Sequence, residues 1–470
     1  MKYYFLGIAG TAMGSLAALL KQKGHEVWGS DQGVYPPMSD FLAEHRIPVW
    51  EGFSEEHLKT PFDVAVIGNA MSRGNVEVEA ILNRRMPFIS LPELIRDEFI
   101  QSHQPIVITG THGKTTTTAL MSWVLHVAGL SPTFLIGGIS KNFDTSAQLG
   151  DGEHFVIEGD EYDCAFFDKR PKFIHYFPQY LIINNLEFDH ADIYPDLKTI
   201  QREFWKLLRI VPRDGLIVAN SESPALREVL DPVYSRLQTF GKSRKNDWAY
   251  EILSQDADFT RFNLFEKGRL ITPQPLQFPF PGEFQIQNAT AVTAIVRDIG
   301  VDWATIRKAL KSFQGVKRRM EYWGKLHGAD VFDDFAHHPT AIAVTLQAMR
   351  RKFPDRRLVA LFEPRTNTSV RNFFQQELAD ALSVADVILL TPIHRLNRIP
   401  ENERLSVDKL IADLQKQGKT VINLDAYERI PGTLAKNLQN ADILMLLTNG
   451  SLGGEYQKLY SAIQEFCAHL

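Results

Sequence analysis

Cysteine is almost absent: Cys164 and Cys467 are the two in a chain of 470 residues. Two thiols cannot build the disulfide framework of a secreted scaffold, and their scarcity fits the reducing cytoplasm. Long apolar runs are missing too. No stretch reaches the ~18 residues that a membrane span requires, which argues against membrane insertion. There is no excess of basic charge: 51 Lys and Arg stand against 56 Asp and Glu, a formal net charge of −5, so no positive field favours nucleic acid. Internal repeats and low-complexity tracts are also lacking. What is present is globular in composition, with 44% apolar and 23% charged residues. The length suits about three domains at ~100–200 residues each.

Strand-like and helix-like segments alternate from end to end. That pattern predicts an α/β protein of three domains, each an open, mostly parallel sheet with helices on both faces. The first unit, residues 1–104, offers the strands YYFLGI, EVWGSD and DVAVIGN. Its opening, MKYYFLGIAGTAMGSLAALLKQKG, has the lysine and apolar stretch of a secretory leader. Three glycines interrupt the run, however, and a strand follows, so strand, turn, helix and strand form one βαβ unit. A polar joint from Gln101 to Pro105 resets the pattern. The second unit, 105–318, opens with PIVITG, includes HFVIEG and YLIINN, and carries a helix beginning near Gln287. The third, 319–470, alternates through VFDDFA, RLVALFEP, DVILLTP, TVINLD and ADILMLLTNG.

Two glycine-rich turns carry chemistry. Gly7, Gly10 and Gly14 line the turn after the first strand, and Asp31 closes the second. Their spacing, G-x-x-G-x-x-x-G, departs from the dinucleotide fingerprint G-x-G-x-x-G. Small residues at a helix N-terminus still let a diphosphate approach backbone N–H groups. The alternative is a tight turn whose glycines only pack. The second turn is VITGTHGKTTTTAL, residues 107–120. It fails the Walker A spacing, because Ile108 stands where that motif needs a glycine. Its position between a strand and a helix nevertheless suits a phosphate. Gly110 and Gly113 free the backbone, Lys114 can reach terminal phosphates, and the Thr115 hydroxyl can ligate Mg²⁺. ATP is the expected ligand.

Acids and histidines follow at strand ends, where ligands collect in open α/β sheets. EGDEYD and NNLEFDHADIY supply Glu158, Glu161 and His190, expected to converge near Thr115. Carboxylates suit Mg²⁺, whereas a histidine fits a second metal ion. At the joint to the third unit, Arg318 and Arg319 precede Asp333, Asp334, His337 and His338, a set suited to phosphate and ribose. Plain surface charge is the competing account of each group.

Taken together, GTHGKTT, the three-unit layout, GIAGTAMGSLA and DDFAHHPTA resemble the Mur ligase family across essentially the whole chain. The resemblance implies a UDP-sugar-binding domain, an ATPase domain and a C-terminal Rossmann-like domain. It implies an ATP-dependent ligase forming a C–N bond on UDP-N-acetylmuramate, with ATP and Mg²⁺ required. Within that branch, EYDCAFFDKR, NNLEFDHADIY and FEPRTNT resemble members that take the murein tripeptide L-Ala-γ-D-Glu-meso-diaminopimelate in cell-wall recycling. The alternative amine is free L-alanine, and folylpolyglutamate synthesis is a more distant alternative chemistry. Carried over residue by residue, Gly110, Thr111, His112, Gly113, Lys114, Thr115 and Thr116 form the phosphate loop, and Asn288 contacts adenine. Thr115, Glu158 and His190 are metal ligands. Arg319 faces the phosphates, and Asp334 and His337 contact nucleotide from the third domain. Lys114, Arg319 and His337 form the catalytic set, with His337 or His338 as base. Gly7, Gly10, Gly14, Asp31 and Ser72 hold the UDP-sugar. Lys169, Arg170, Arg365 and Arg371 are the cations offered to the tripeptide's carboxylates. The run Gly282–Gln285 departs from the family's G-x-H-N. The family's carbamoylated lysine has only Lys198 and Lys206 nearby, and neither is assigned.

Overall fold

The computed structural model describes residues 1–34, 38–191, 193–256, 258–272, 274–394, 396 and 399–468; the side chains of 466–468 are excluded. Asp192, within the NNLEFDHADIY run, and the Cys467 side chain therefore lie outside the described residues, while Cys164 is a buried free thiol.

The leader-like opening is the centre of the first sheet. Strand Lys2–Leu6 pairs in parallel with Glu26–Asp31 on one side and Val64–Ile67 on the other; Val49–Glu51 and Phe88–Ser90 complete the edges. Its run Tyr3–Leu6 is buried throughout, as expected of a parallel strand covered on both faces. Helix Thr11–Gln22 buries Leu16, Ala17, Leu19 and Leu20. The same helix packs on strands Thr133–Ser140 and Thr145–Gln148 of the next unit, where Ser15 Oγ lies 2.7 Å from Ser146 Oγ. One apolar cluster accordingly runs from Phe5 and Leu19 to Phe155 and Leu181.

The central sheet places Gln104–Thr109 between His154–Gly159 and Tyr180–Ile183, all parallel. Strands Leu216–Asn220, Arg236–Gly241 and Trp248–Gln255 extend it in parallel. An antiparallel extension, Trp248–Gln255 with Thr260–Glu266 and Leu276–Phe278, was not expected from the sequence. The helix expected near Gln287 begins at Glu283, because Gly282, at φ +101°, turns the chain directly into it. In the third sheet Ala329–Asp334, Ile443–Leu447, Leu358–Phe362, Val387–Leu390 and Thr420–Asn423 run parallel, and Glu321–Leu326 adds one antiparallel edge. The sheets are thus mostly parallel with helices packed on them, as the alternation predicted.

Sheet order explains where a ligand can sit. The chain leaves Gln104–Thr109, forms helix Lys114–Val127, and later returns on both flanks of that strand. The turn after Thr109 is therefore a topological switch point, with strand ends on each side to furnish side chains.

Candidate active site

The turn after Thr109 has little freedom. A Cβ on Gly110 would lie 2.8 Å from Asn185 O, and Gly110 has φ +126°. A Cβ on Gly113 would lie 3.0 Å from Asn184 Nδ2 and 3.1 Å from Asn288 Oδ1, at φ +84°. Both positions combine a left-handed backbone with crowding, so glycine is required. Asn185 braces the loop by accepting from His112 N–H at 2.8 Å. Thr111 Oγ1 accepts from Glu187 N–H at 2.9 Å. Helix Lys114–Val127 then starts with no side-chain cap and no acid in its first turn, leaving its N–H groups and partial positive charge to a ligand.

Lys114 Nζ donates to Gly110 O at 2.7 Å and to Glu161 at 2.9 and 3.1 Å. Burial works against its charge, but Glu161 and Asp160 outweigh that and hold the ammonium above its ordinary value. Thr115 Oγ1 donates to Glu158 Oε2 at 3.2 Å, and Arg319 Nη2 reaches the same hydroxyl at 3.3 Å from the joint to the third domain. The Glu158 carboxyl also accepts Gly137 N–H at 2.5 Å. Burial pushes it up, only partly opposed by that N–H, Lys114 and Arg319. Two acid groups therefore form, not one. Glu158 sits on Thr115, whereas His190 Nε2 lies 2.9 Å from Glu161 Oε1, in a cluster with Asp160. Burial pulls His190 down, yet the hydrogen bond and charge of Glu161, together with the Asp189 charge, hold it above its ordinary value. Burial would raise Asp160, but Lys172, 2.8 Å away, and Lys114 hold it well below the usual range.

These groups open onto a cavity of about 610 Å³ between the second and third domains. Thr116, Asn288, Arg319, Asp334 and His337 also line it. Asn288 Nδ2 is buried without a partner there, a free donor beside Gly113. His337 Nδ1 lies 3.0 Å from Phe335 O, which leaves Nε2 as the acceptor when Nδ1 carries the proton. Burial depresses its pKa and keeps the ring neutral. His338 instead caps helix Pro339–Lys352, and burial pulls it down to about 4. The two oxygens of Asp334, which also lines the cavity, accept Met320 N–H and Ala336 N–H, each at 2.8 Å. It braces the segment that carries Arg319.

In the first domain, Gly7, at φ +85°, and Gly10 form the turn before helix Thr11–Gln22. Asp31 Oδ2 accepts Ala9 N–H at 2.9 Å, tying the two strand ends together. Gly14 is a packing position, where a Cβ would lie 2.5 Å from the Met38 methyl. Ser72 is exposed past strand Val64–Ile67, at the same end of the sheet.

The four cations offered to a charged amine already have carboxylate partners. Lys169 is 2.6 Å from Asp163, Arg170 is 2.8 Å from Asp168, Arg365 is 3.5 Å from Glu363, and Arg371 pairs with Glu403. Lys206 is exposed and pairs with Glu203 at 2.7 Å. Unanticipated were the polar residues that knit the cavity's two walls. Thr340 Oγ1 donates to Glu187 at 2.7 Å, and Thr368 Oγ1 donates to Asp189 at 2.7 Å.

Three family models match consecutive stretches of the chain: the Mur ligase family catalytic domain over 2–102, the Mur ligase middle domain over 108–296, and the Mur ligase glutamate ligase domain over 318–450. The chain belongs to the Mur ligase family. It is an ATP-dependent ligase that forms an amide bond. This Mur ligase is 40% identical to UDP-N-acetylmuramate–L-alanyl-γ-D-glutamyl-meso-2,6-diaminoheptandioate ligase of Escherichia coli K12, across 98% of both chains. It is 30% identical to a UDP-N-acetylmuramate–L-alanine ligase of Endomicrobium trichonymphae, again over 98% of each. Among solved structures, a murein peptide ligase of Psychrobacter arcticus superposes with a TM-score of 0.74 at 34% identity, covering 98% of each chain.

Proposed function

We propose that this Mur ligase joins the lactyl carboxylate of UDP-N-acetylmuramate to the α-amine of L-Ala-γ-D-Glu-meso-diaminopimelate, at the expense of ATP. The observation that carries the choice of amine is the 40% identity along the whole chain to a tripeptide ligase, against 30% for an L-alanine ligase. In this account residues 1–104 hold the UDP-sugar, 105–318 hold ATP, and 319–470 supply the closing face. The work belongs to the cytoplasm, in the recycling of cell-wall peptide.

The cavity suits ATP. Its volume of about 610 Å³ falls in the ~300–1,000 Å³ range of small-molecule sites. The unpartnered Asn288 Nδ2 offers a donor to the adenosine end, and the uncapped N-terminus at Lys114 receives the phosphates. Thr115, Glu158 and His190 supply the hard oxygen and imidazole donors for divalent ions, with Asp160 and Glu161 beside His190. Mg²⁺ bound there neutralises phosphate charge. Asp31, Gly7, Gly10 and Ser72 take the UDP-sugar at the mouth of the first sheet.

A carboxylate resists amide formation because its oxygen is a poor leaving group. Transfer of the γ-phosphoryl from ATP to that oxygen gives ADP and an acyl phosphate. Lys114 and Arg319 stabilise the charge on the phosphoryl as it moves. His337 Nε2 takes the ammonium proton, and the freed amine attacks the acyl carbon. The tetrahedral adduct then expels phosphate and leaves the amide. Because the reactants rest on different domains, closure aligns them and shields the acyl phosphate from water.

The test is ADP release with ATP, Mg²⁺ and UDP-N-acetylmuramate, with and without tripeptide. Turnover that needs both partners is expected. With the lactyl carboxylate labelled by ¹⁸O, one label must appear in the released phosphate. Unlabelled phosphate contradicts the acyl-phosphate route, and tripeptide-independent turnover contradicts the ligase assignment.

A further inference from the structure

His190 holds a conformation that a histidine rarely adopts. Its φ is +56°, in the left-handed region, where a non-glycine residue costs ~1–3 kcal/mol and persists only when its surroundings enforce it. Two features on its own loop do so. Asp189 Oδ1 accepts the His190 N–H at 2.8 Å, and His190 O accepts Ile193 N–H and Tyr194 N–H, each at 3.0 Å. The third restraint comes from another domain. The same Asp189 oxygen accepts the Thr368 hydroxyl at 2.7 Å, with Asp189 only 4% and Thr368 only 3% exposed.

Thr368 is itself held rigidly. It lies in a turn closed by Thr366 N–H to Ser369 Oγ at 3.0 Å and Ser369 N–H to Thr366 Oγ1 at 3.1 Å. The third domain touches the preceding loop residues as well, through Thr340 on Glu187 and the His338 ring 3.3 Å from Phe188 O. His190 is the next residue on, and its ring reaches Glu161, which also holds Lys114. Contact from the third domain is thus relayed one residue along the backbone into the phosphate site.

We infer that Thr368 is a positioning residue: by hydrogen-bonding Asp189 it fixes the strained His190 backbone, so that docking of the third domain completes the site around Glu161 and Lys114. The inference rests on the proposed ATP and metal site. Strain of this kind is tolerable in a catalytic loop because it makes the active geometry conditional on the domain that carries the closing face.

The test compares Thr368→Val, which keeps the shape and deletes the O–H donor, with Thr368→Ser, which keeps the donor. Steady-state rates are measured on the full chain with ATP, UDP-N-acetylmuramate and tripeptide over a Mg²⁺ series. Thr368→Val is expected to lower kcat ~10-fold and raise the half-saturating Mg²⁺. KM for UDP-N-acetylmuramate stays put, because that substrate lies on the first domain. Thr368→Ser is expected to restore both parameters. If the valine variant does not fold, the smaller Thr368→Ala carries the same expectation. Wild-type kcat and Mg²⁺ dependence in the donor-less variant, or equal loss in valine and serine variants, overturns the inference. Failure of the proposed function is separate, since there the wild type itself does not turn over.

Discussion

Replacing Lys114 by methionine keeps a long apolar stem and deletes one buried charge of the site. In the resting enzyme that ammonium is spoken for by Gly110 O at 2.7 Å and by Glu161 at 2.9 Å. A unit charge ~4 Å from a phosphoryl oxygen, at an effective dielectric of ~20, is worth ~4 kcal/mol. Part of that attraction also acts on bound ATP before reaction and so does not accelerate it. About 2–3 kcal/mol specific to the transition state remains, or ~10²-fold in kcat. Stability falls as well, because the buried Glu161 loses one partner while keeping His190 at 2.9 Å. A group left partly unsatisfied in this way costs about 1–3 kcal/mol. The assay is ADP release at saturating substrates, with ATP affinity by calorimetry and a melting curve to prove folding. A folded Lys114→Met protein within ~3-fold of wild-type kcat, less than ~1 kcal/mol of barrier, refutes the role of Lys114.

Other perturbations test the remaining parts. Glu158→Gln and His190→Ala should each raise the Mg²⁺ needed for half-maximal rate; an unchanged Mg²⁺ curve in both excludes them as ligands. Gly10→Asp places a capping acid at the start of helix Thr11–Gln22, where a Cβ meets nothing closer than 3.5 Å. It should hold or raise the melting temperature, yet repel a diphosphate and raise KM for UDP-N-acetylmuramate ~10-fold or more while ATP affinity stays unchanged. Weakened ATP binding instead would reverse the domain roles. Asp333 is buried with Oδ1 unpartnered, and burial pushes its carboxyl up to about 7 despite Arg318 and Tyr456. Between pH ~4 and ~7 the folded chain then holds a proton that the unfolded chain has released, so this group's contribution to stability is lost as pH rises through that window. At ~1.4 kcal/mol per pH unit the loss is bounded at ~4 kcal/mol. Asp333→Asn should match wild type near pH 4 and be the more stable near pH 8, and parallel melting profiles refute the assignment.

What could be read from the sequence was what local chemistry encodes. The phosphate loop was legible because Gly110 and Gly113 are needed where they stand, for their left-handed backbone and for the close approach of Asn184, Asn185 and Asn288. Alternation of strands and helices likewise disclosed the mostly parallel sheets. The hairpin extension around Thr260–Glu266 was not foreseen, since an antiparallel addition breaks that alternation. Thr368 and Asp189 were not recognised as partners because they lie far apart in sequence and meet only when two domains dock. The bracing role of Asp334 was not foreseen either, because the N–H groups of Met320 and Ala336 meet its oxygens only in the folded chain. The cations Lys169 and Arg170 carried a warning in plain view, because their partners Asp163 and Asp168 lie in the same quoted run, EYDCAFFDKR.

Lys169, Arg170, Arg365 and Arg371 are each paired with a carboxylate of the chain, so their charge alone does not decide the choice of amine. Competition between the two amines in one reaction tests the proposal most directly. Purified enzyme receives ATP, Mg²⁺ and UDP-N-acetylmuramate with equal concentrations of L-Ala-γ-D-Glu-meso-diaminopimelate and free L-alanine, and the two amide products are counted by mass spectrometry. The tripeptide product should dominate by at least ~10²-fold, equivalent to ~2.7 kcal/mol of differential transition-state binding. A majority of the L-alanine product contradicts the proposal and makes free L-alanine the amine.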